Sequence, residues 1–246
     1  MASFEMTERV VLSNVAGTGL SPFMPEVLYF EATSEALHYL VEEVDGTLPN
    51  GELVAQVASR LPAFHRALRQ WAETTQPKLA TRHDHYFAMV SGVMEEILRG
   101  SGQPSATALL DNWPAVVALH APLGVETGRQ PIHGDLHRWN VFVTETAPGI
   151  KVIDWDSVVW GDPLVDLATL LIDESSGNQK SALNRYGAEI GYARDKAEVE
   201  RSYLVNRFRV ALLWSCLFAS RPRRARRSMS AERYLDEAAR LLEVLA

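Results

Sequence analysis

Three oxygen-bearing side chains, Asp135, Asn140 and Asp154, are spaced so that they could hold a hard metal ion and move a proton. Residues 141–144 (Val-Phe-Val-Thr) and 150–153 (Ile-Lys-Val-Ile) are short β-rich stretches around Thr146-Ala-Pro-Gly149, a turn signal, and together they predict a β-hairpin. Asn140 immediately precedes the first strand and Asp154 immediately follows the second, with residue 147 at their midpoint. Antiparallel pairing about that midpoint would set Asn140 opposite Asp154, roughly 5 Å apart at Cα. An amide oxygen and a carboxylate so placed suit Mg²⁺, which takes few protein ligands and completes its shell with substrate phosphates and water.

Asp135 lies five residues before Asn140, in His133-Gly-Asp-Leu-His-Arg-Trp-Asn140. That spacing matches the kinase catalytic loop H-R-D-x-x-x-x-N, with Gly134 where protein kinases carry Arg. Two further blocks follow in order: Ile153-Asp-Trp-Asp156, in the place of D-F-G, and Gly161-Asp-Pro-Leu-Val-Asp-Leu-Ala168. Together the three blocks resemble the aminoglycoside phosphotransferase and choline kinase superfamily, sharply over residues 133–168, fairly over 25–70 and weakly beyond 175. The resemblance implies that Asp135 is the catalytic base and that Asn140 and Asp154 are ligands of Mg²⁺. It makes Asp162 and Asp166 residues that brace the catalytic loop and begin the following helix, with His133 and Asp156 in support. Tyr39-Leu-Val-Glu-Glu-Val-Asp-Gly46 resembles the inter-lobe hinge, where the backbone of Glu42, Glu43 and Val44 would meet the base of ATP or GTP. The implied activity is transfer of the γ-phosphate to a hydroxyl of a small molecule. The acceptor is not specified by these residues; choline-like, sugar-like and antibiotic acceptors are all compatible.

Blander readings stand beside these. His133 and His137 read as structural, since Asp and Asn already supply the oxygens. Asp162 and Asp166 are equally well explained as a helix cap and a helix-surface residue. Trp139, Trp155 and Trp160 flank the site and could pack in the core or face a substrate. His83-Asp-His85 reads as a solvated helix start rather than a metal site.

The elements that must position these residues can be outlined. Residues 5–15 predict a short helix; residues 25–30 and 36–44 predict two strands joined by the polar turn 31–34. Asp45-Gly46 closes the second strand and marks a boundary, giving residues 1–45 as a partial first lobe with hinge and 46–246 as a helical second lobe. Helical spacing covers 52–61, with Pro62 interrupting it or opening the next helix, then 63–75 and 85–98, before a loop over 99–104. Asp162-Pro163 is a good helix start. Further helices are expected near 180–192, 196–219 and 229–245. The expected fold class is α+β and protein-kinase-like, with a reduced N-terminal β element and a mainly helical C-terminal lobe carrying the catalytic hairpin.

The first lobe departs from the kinase pattern. No lysine precedes Lys78, and Val15-Ala-Gly-Thr-Gly-Leu20 is the only glycine pair near the hinge. Glu5 or Glu8 would correspond to the helix Glu that a kinase pairs with its lysine. Charge on the phosphates would then fall to Mg²⁺ and an arginine such as Arg9 or Arg138. A truncated product, a second chain completing the lobe, and a catalytically weak or inactive kinase-like binding protein are the alternatives.

Composition narrows the class. Of 246 residues, 47% are apolar and 22% charged, with net charge −7, which disfavours nucleic-acid binding by the protein as a whole. The exception is residues 221–227, five arginines in seven positions, read as a surface loop with no part in catalysis. No run approaches the roughly 20 apolar residues that span a bilayer. The start lacks a signal-peptide pattern, and the lone Cys216 excludes an internal disulfide. No nucleic-acid or membrane partner is expected, and a cytoplasmic location is.

Overall fold

A computed structural model describes residues 5–33, 36–79, 90–120, 130–190, 195–220 and 229–245. The arginine cluster at 221–227 and the pair His83 and His85 lie outside the described residues. Contacts divide the chain into two units, residues 1–79 with 129–196, and residues 80–128 with 197–246. The expected boundary at residue 46 and all of the candidate site residues fall in the first.

In the first unit, helix α1 (Glu5–Asn14) leads to strands β1 (Val27–Ala32) and β2 (Leu37–Val41), an antiparallel pair. Helix α2 (Glu52–Thr75) follows. It runs unbroken through Pro62, where the sequence suggested an interruption. Apolar residues on both sides of the proline, Val54, Val57, Ala58, Leu61, Phe64, Leu68 and Trp71, are buried along one stripe. Burial over 24 residues outweighs one missing backbone hydrogen bond. Gln76, left-handed at φ 48°, ends the helix.

Two further strand pairs frame the candidate site residues. Strand β3 (Gln130–Ile132) leads into the loop 133–140 and pairs antiparallel with β6 (Val159–Gly161). Strands β4 (Val141–Val143) and β5 (Ile150–Val152) form the hairpin expected from the sequence. Helices α6 (Leu164–Leu170) and α7 (Ser176–Glu189) complete the unit, and α2 packs along α7 and against β3 and α6.

The second unit holds a π-helical turn at Val90–Met94, then α3 (Glu95–Ser101), α4 (Pro104–Asp111), α5 (Trp113–His120), α8 (Lys196–Ser220) and α9 (Met229–Leu245). The expected loop over 99–104 is shorter: α3 continues to Ser101, Gly102 turns left-handed at φ 68°, and Pro104 opens α4. Arg207 reaches Glu237 at 2.7 Å, joining α8 to α9, and Tyr234 stacks on Phe218. Cys216 is buried, and burial pushes its thiol up to about 11, the state of a structural cysteine. No helix among the described residues is long and apolar enough to cross a membrane.

One buried carboxylate joins three elements of the first unit. Asp166, on α6, has no exposed surface, and it accepts from His65 Nε2 on α2 at 2.9 Å and from the backbone N–H of His133 at 2.9 Å and Gly134 at 2.8 Å. Burial alone would raise its pKa, but the hydrogen bond from His65, the neighbouring histidines and the Gly134 N–H together hold it below the usual aspartate value. A depressed pKa contributes stability above the unfolded value of about 3.9, and that stability is lost as pH falls through the folded value. Asp166→Asn, which turns an amide donor towards an N–H donor, is expected to destabilise the protein by about 3 kcal/mol or more in denaturant titrations. The variant is also expected to lose the part of the acid-limb fall in stability that Asp166 contributes.

Candidate functional site

The loop 133–140 is shaped by its own backbone. Gly134 adopts φ 85°, a left-handed conformation that suits glycine, while its N–H is turned to Asp166. The Asp135 carbonyl then accepts from the N–H of His137 at 2.9 Å and from Asn140 Nδ2 at 3.0 Å. Asn140 is 5% exposed, and committing its amide nitrogen leaves Oδ1 as its acceptor atom. The Asp135 side chain is 41% exposed, and His137 Nε2 lies 3.8 Å from its Oδ2. The loop therefore fixes a buried amide at one end and a solvent-facing carboxylate at the other.

The hairpin register differs by one residue from the symmetric expectation. Val141 faces Val152 and Val143 faces Ile150, so Asn140 opposes Ile153, whose N–H it accepts at 3.0 Å. The cause is the six-residue connection, closed by Thr144 N–H to Gly149 O and Gly149 N–H to Thr146 O, whose centre lies between residues 146 and 147. Asp154 stands one step beyond the pair, exposed and at φ 64°, a left-handed state that aspartate tolerates better than most residues. Asn140 and Asp154 thus flank the same end of the hairpin without facing each other in the ladder.

His133 lies beneath this end. It is fully buried, its Nε2–H donates to the Ile153 carbonyl at 3.0 Å, and Trp155 packs edge-on against it at 5.2 Å. Burial lowers its pKa, against the pull of Asp166, Asp135 and Asp154, so the ring is a neutral Nε2–H tautomer and a structural support. Its field contains all three carboxylates, which gathers Asp135 and Asp154 around one buried ring. Trp155 is 2% exposed and belongs to the core, whereas Trp139 is 56% exposed. Asp162 caps α6, its Oδ1 accepting from the Leu164 N–H at 3.0 Å.

The hinge segment lies against the hairpin. Thr47 and Val143 exchange both backbone hydrogen bonds, at 2.9 and 2.8 Å. At Gly46 a Cβ would stand 2.9 Å from Phe142 Cβ, so only glycine allows this approach. Lys151 of β5 donates to the Met24 carbonyl at 2.6 Å and lies 3.4 Å from Glu42 Oε1. The Glu42 N–H is donated to the Glu26 carbonyl at 2.9 Å, which leaves the Glu42 carbonyl as the acceptor it presents. The backbone groups of Glu43 and Val44 are engaged by no described residue.

Sequence reasoning missed several of these parts. His65 was hidden on the buried stripe of α2, where a lone polar residue at helical spacing was the available signal. The β3–β6 pair was masked by Pro131 and Gly161. Glu8 was weighed only as a helix Glu awaiting lysine. It instead accepts from Tyr39 Oη at 3.0 Å and also meets Asp156 and the Trp155 backbone. Burial, with the Asp156 carboxylate beside it, raises the Glu8 pKa, and burial with the Glu8 charge pushes the Tyr39 phenol up to about 12.

The chemistry of the donor set fits Mg²⁺. Among the described residues no group of three or more His, Cys, Asp or Glu side chains forms a protein-only metal cage. One free amide oxygen at Asn140 and one exposed carboxylate at Asp154 are the sparse oxygen set that Mg²⁺ takes together with phosphates and water.

Comparison with known proteins gives the family. No curated protein matches significantly. Among solved structures, the GDP complex of an aminoglycoside 2′-phosphotransferase-IIIa is similar at TM-score 0.66 and 15% identity, covering 98% of this chain and 82% of that one. A choline/ethanolamine kinase family protein from Mesorhizobium loti gives 0.67 at 14% identity, over 100% and 79% of the two chains. Choline kinase LicA from Streptococcus pneumoniae gives 0.66 at 16%, over 97% and 80%. These likenesses show that the α+β fold is protein-kinase-like. The family model of the phosphotransferase enzymes matches residues 6–200, and the chain belongs to that family.

Proposed function

We propose that the chain is a small-molecule kinase that moves the terminal phosphate of ATP or GTP to a hydroxyl of a small acceptor. The observation that carries the reading is the loop 133–140. Its carbonyl at Asp135 locks Asn140 Nδ2, leaving the Asp135 carboxylate exposed and the Asn140 Oδ1 unspent beside Asp154. Asp135 orients the acceptor hydroxyl and takes its proton as the oxygen attacks phosphorus. Asn140 and Asp154 would hold Mg²⁺, which neutralises phosphate charge when bound. The backbone of Glu42, through its carbonyl, and of Glu43 and Val44 meets the base, and the hinge and the residues before it, 1–45, act as a partial first lobe. His133, Asp156, Asp162 and Asp166 position the loop and the metal ligands.

A second reading, a catalytically weak kinase-like binding protein, is favoured by one contact. Glu8 is engaged by Tyr39 and Asp156, while no lysine precedes Lys78 to pair with it over the phosphates. Calorimetry with ATP and GTP, with and without Mg²⁺, paired with phosphate transfer to a panel of hydroxylated acceptors, separates the two.

In that experiment nucleotide binding is expected to depend steeply on Mg²⁺. Asp154→Asn should abolish the Mg²⁺-dependent part of binding. Asp135→Asn should bind nucleotide within about threefold of the parent while transfer falls by about 10²–10⁴-fold. Tight binding that ignores Mg²⁺ would remove the metal assignment, and Asp135→Asn with undiminished turnover would remove the base.

A further inference from the structure

Arg138 occupies the catalytic loop itself, three residues after Asp135 and two before Asn140. Its guanidinium carbon stands 4.8 Å from the centroid of the exposed Trp139 ring. Its Nε is buried and has no hydrogen-bond partner, and among the described residues no carboxylate forms an ion pair with it. Other cations near the site are committed elsewhere. Lys151 is held by the Met24 carbonyl and Glu42, and Arg9 is directed to the Thr33 carbonyl at 3.5 Å.

A buried guanidinium N–H without an acceptor is costly unless a ligand supplies one. The planar fork of arginine matches two phosphate oxygens at once, and stacking on an indole holds the plane of the fork in place. Resting on the kinase reading above, we propose that Arg138, seated on Trp139, is a catalytic residue that grips the terminal phosphoryl group of the nucleoside triphosphate. In the transfer, the bond from the acceptor oxygen to phosphorus forms while the bond from phosphorus to the bridging oxygen breaks. The hydroxyl proton passes to Asp135, and the nucleoside diphosphate leaves with the electron pair of the broken bond. Arg138 exchanges no proton; it balances the charge on the non-bridging oxygens.

The test is calorimetry of the full chain with ATP, ADP and AMP in Mg²⁺, together with steady-state transfer kinetics, for the parent protein, Arg138→Gln, Arg138→Lys and Trp139→Ala. Arg138→Gln is expected to weaken ATP at least tenfold, to change AMP less than twofold, and to lower kcat a hundredfold or more. Arg138→Lys should recover only part of kcat, since an ammonium cannot bind two oxygens in one plane, and Trp139→Ala should show a milder form of the Arg138→Gln defect. ATP affinity and kcat within twofold of the parent in Arg138→Gln would overturn the proposal. So would a change confined to the KM of the acceptor, which would place the anion on the acceptor instead. Should Arg138→Gln fold poorly, Arg138→Lys with an unchanged melting temperature reads the same contrast: a tenfold loss of kcat supports the grip, and none overturns it. A parent protein that binds none of the three nucleotides would overturn the kinase reading as well, whereas nucleotide binding that Arg138→Gln leaves intact overturns the Arg138 assignment alone.

Discussion

A carboxylate shut away from water must either find donors or give up its charge, and Asp166 finds three: His65 from α2 and the backbone N–H groups of His133 and Gly134. Each donor carries a different part of the structure. The histidine ties the longest described helix of the unit to α6, and the two amides fix the first residues of the loop 133–140. Gly134 can turn its N–H inward because φ 85° is open to it, and that turn sends the next side chain, Asp135, towards solvent. The buried charge thus converts helix packing into the aim of the Asp135 carboxylate. An apolar residue at 166 could pack as well, but it would leave two loop amides without acceptors.

The same economy governs the opposite side of the hairpin. Backbone exchange between Thr47 and Val143 and the close approach at Gly46 lay the hinge flat on β4, while Lys151 anchors β5 to the residues before β1. The open end of the hairpin, with Asn140 and Asp154, is thereby tied to a hinge whose Glu43 and Val44 backbone is unengaged. From the other side Glu8 reaches the Trp155 backbone and Asp156, just after Asp154, so α1 also bears on the segment 154–156.

What the sequence made legible was whatever depends on near neighbours. The five-residue step from Asp135 to Asn140 is closed by a hydrogen bond inside the loop, so the spacing itself carries the geometry. Asp162 with Pro163 announced a helix start because capping is a local event. The hairpin was visible from its β-branched runs and turn, yet its register slipped by one because closure from Thr144 to Gly149 was not encoded in the position of the turn residues alone. Pro62 misled for the opposite reason: its local preference was outweighed by burial along all of α2. His65 with Asp166, and Glu8 with Tyr39, join residues 101 and 31 positions apart, and nothing local announces either.

Charge balance binds these observations together. Asp135, Asp154, Asp156 and Glu8 gather around one end of the hairpin, while Lys151 is neutralised by its own partners. On the proposed kinase reading such a site would repel a triphosphate until cations arrive, because carboxylates and phosphates repel at short range. Raising the Glu8 pKa is one relief, since two adjoining carboxyl groups share charge less unfavourably when one holds a proton. The proposed divalent metal at Asn140 and Asp154 would be a second. On the role proposed for Arg138, a guanidinium buried at Nε and set over an exposed indole would be a third.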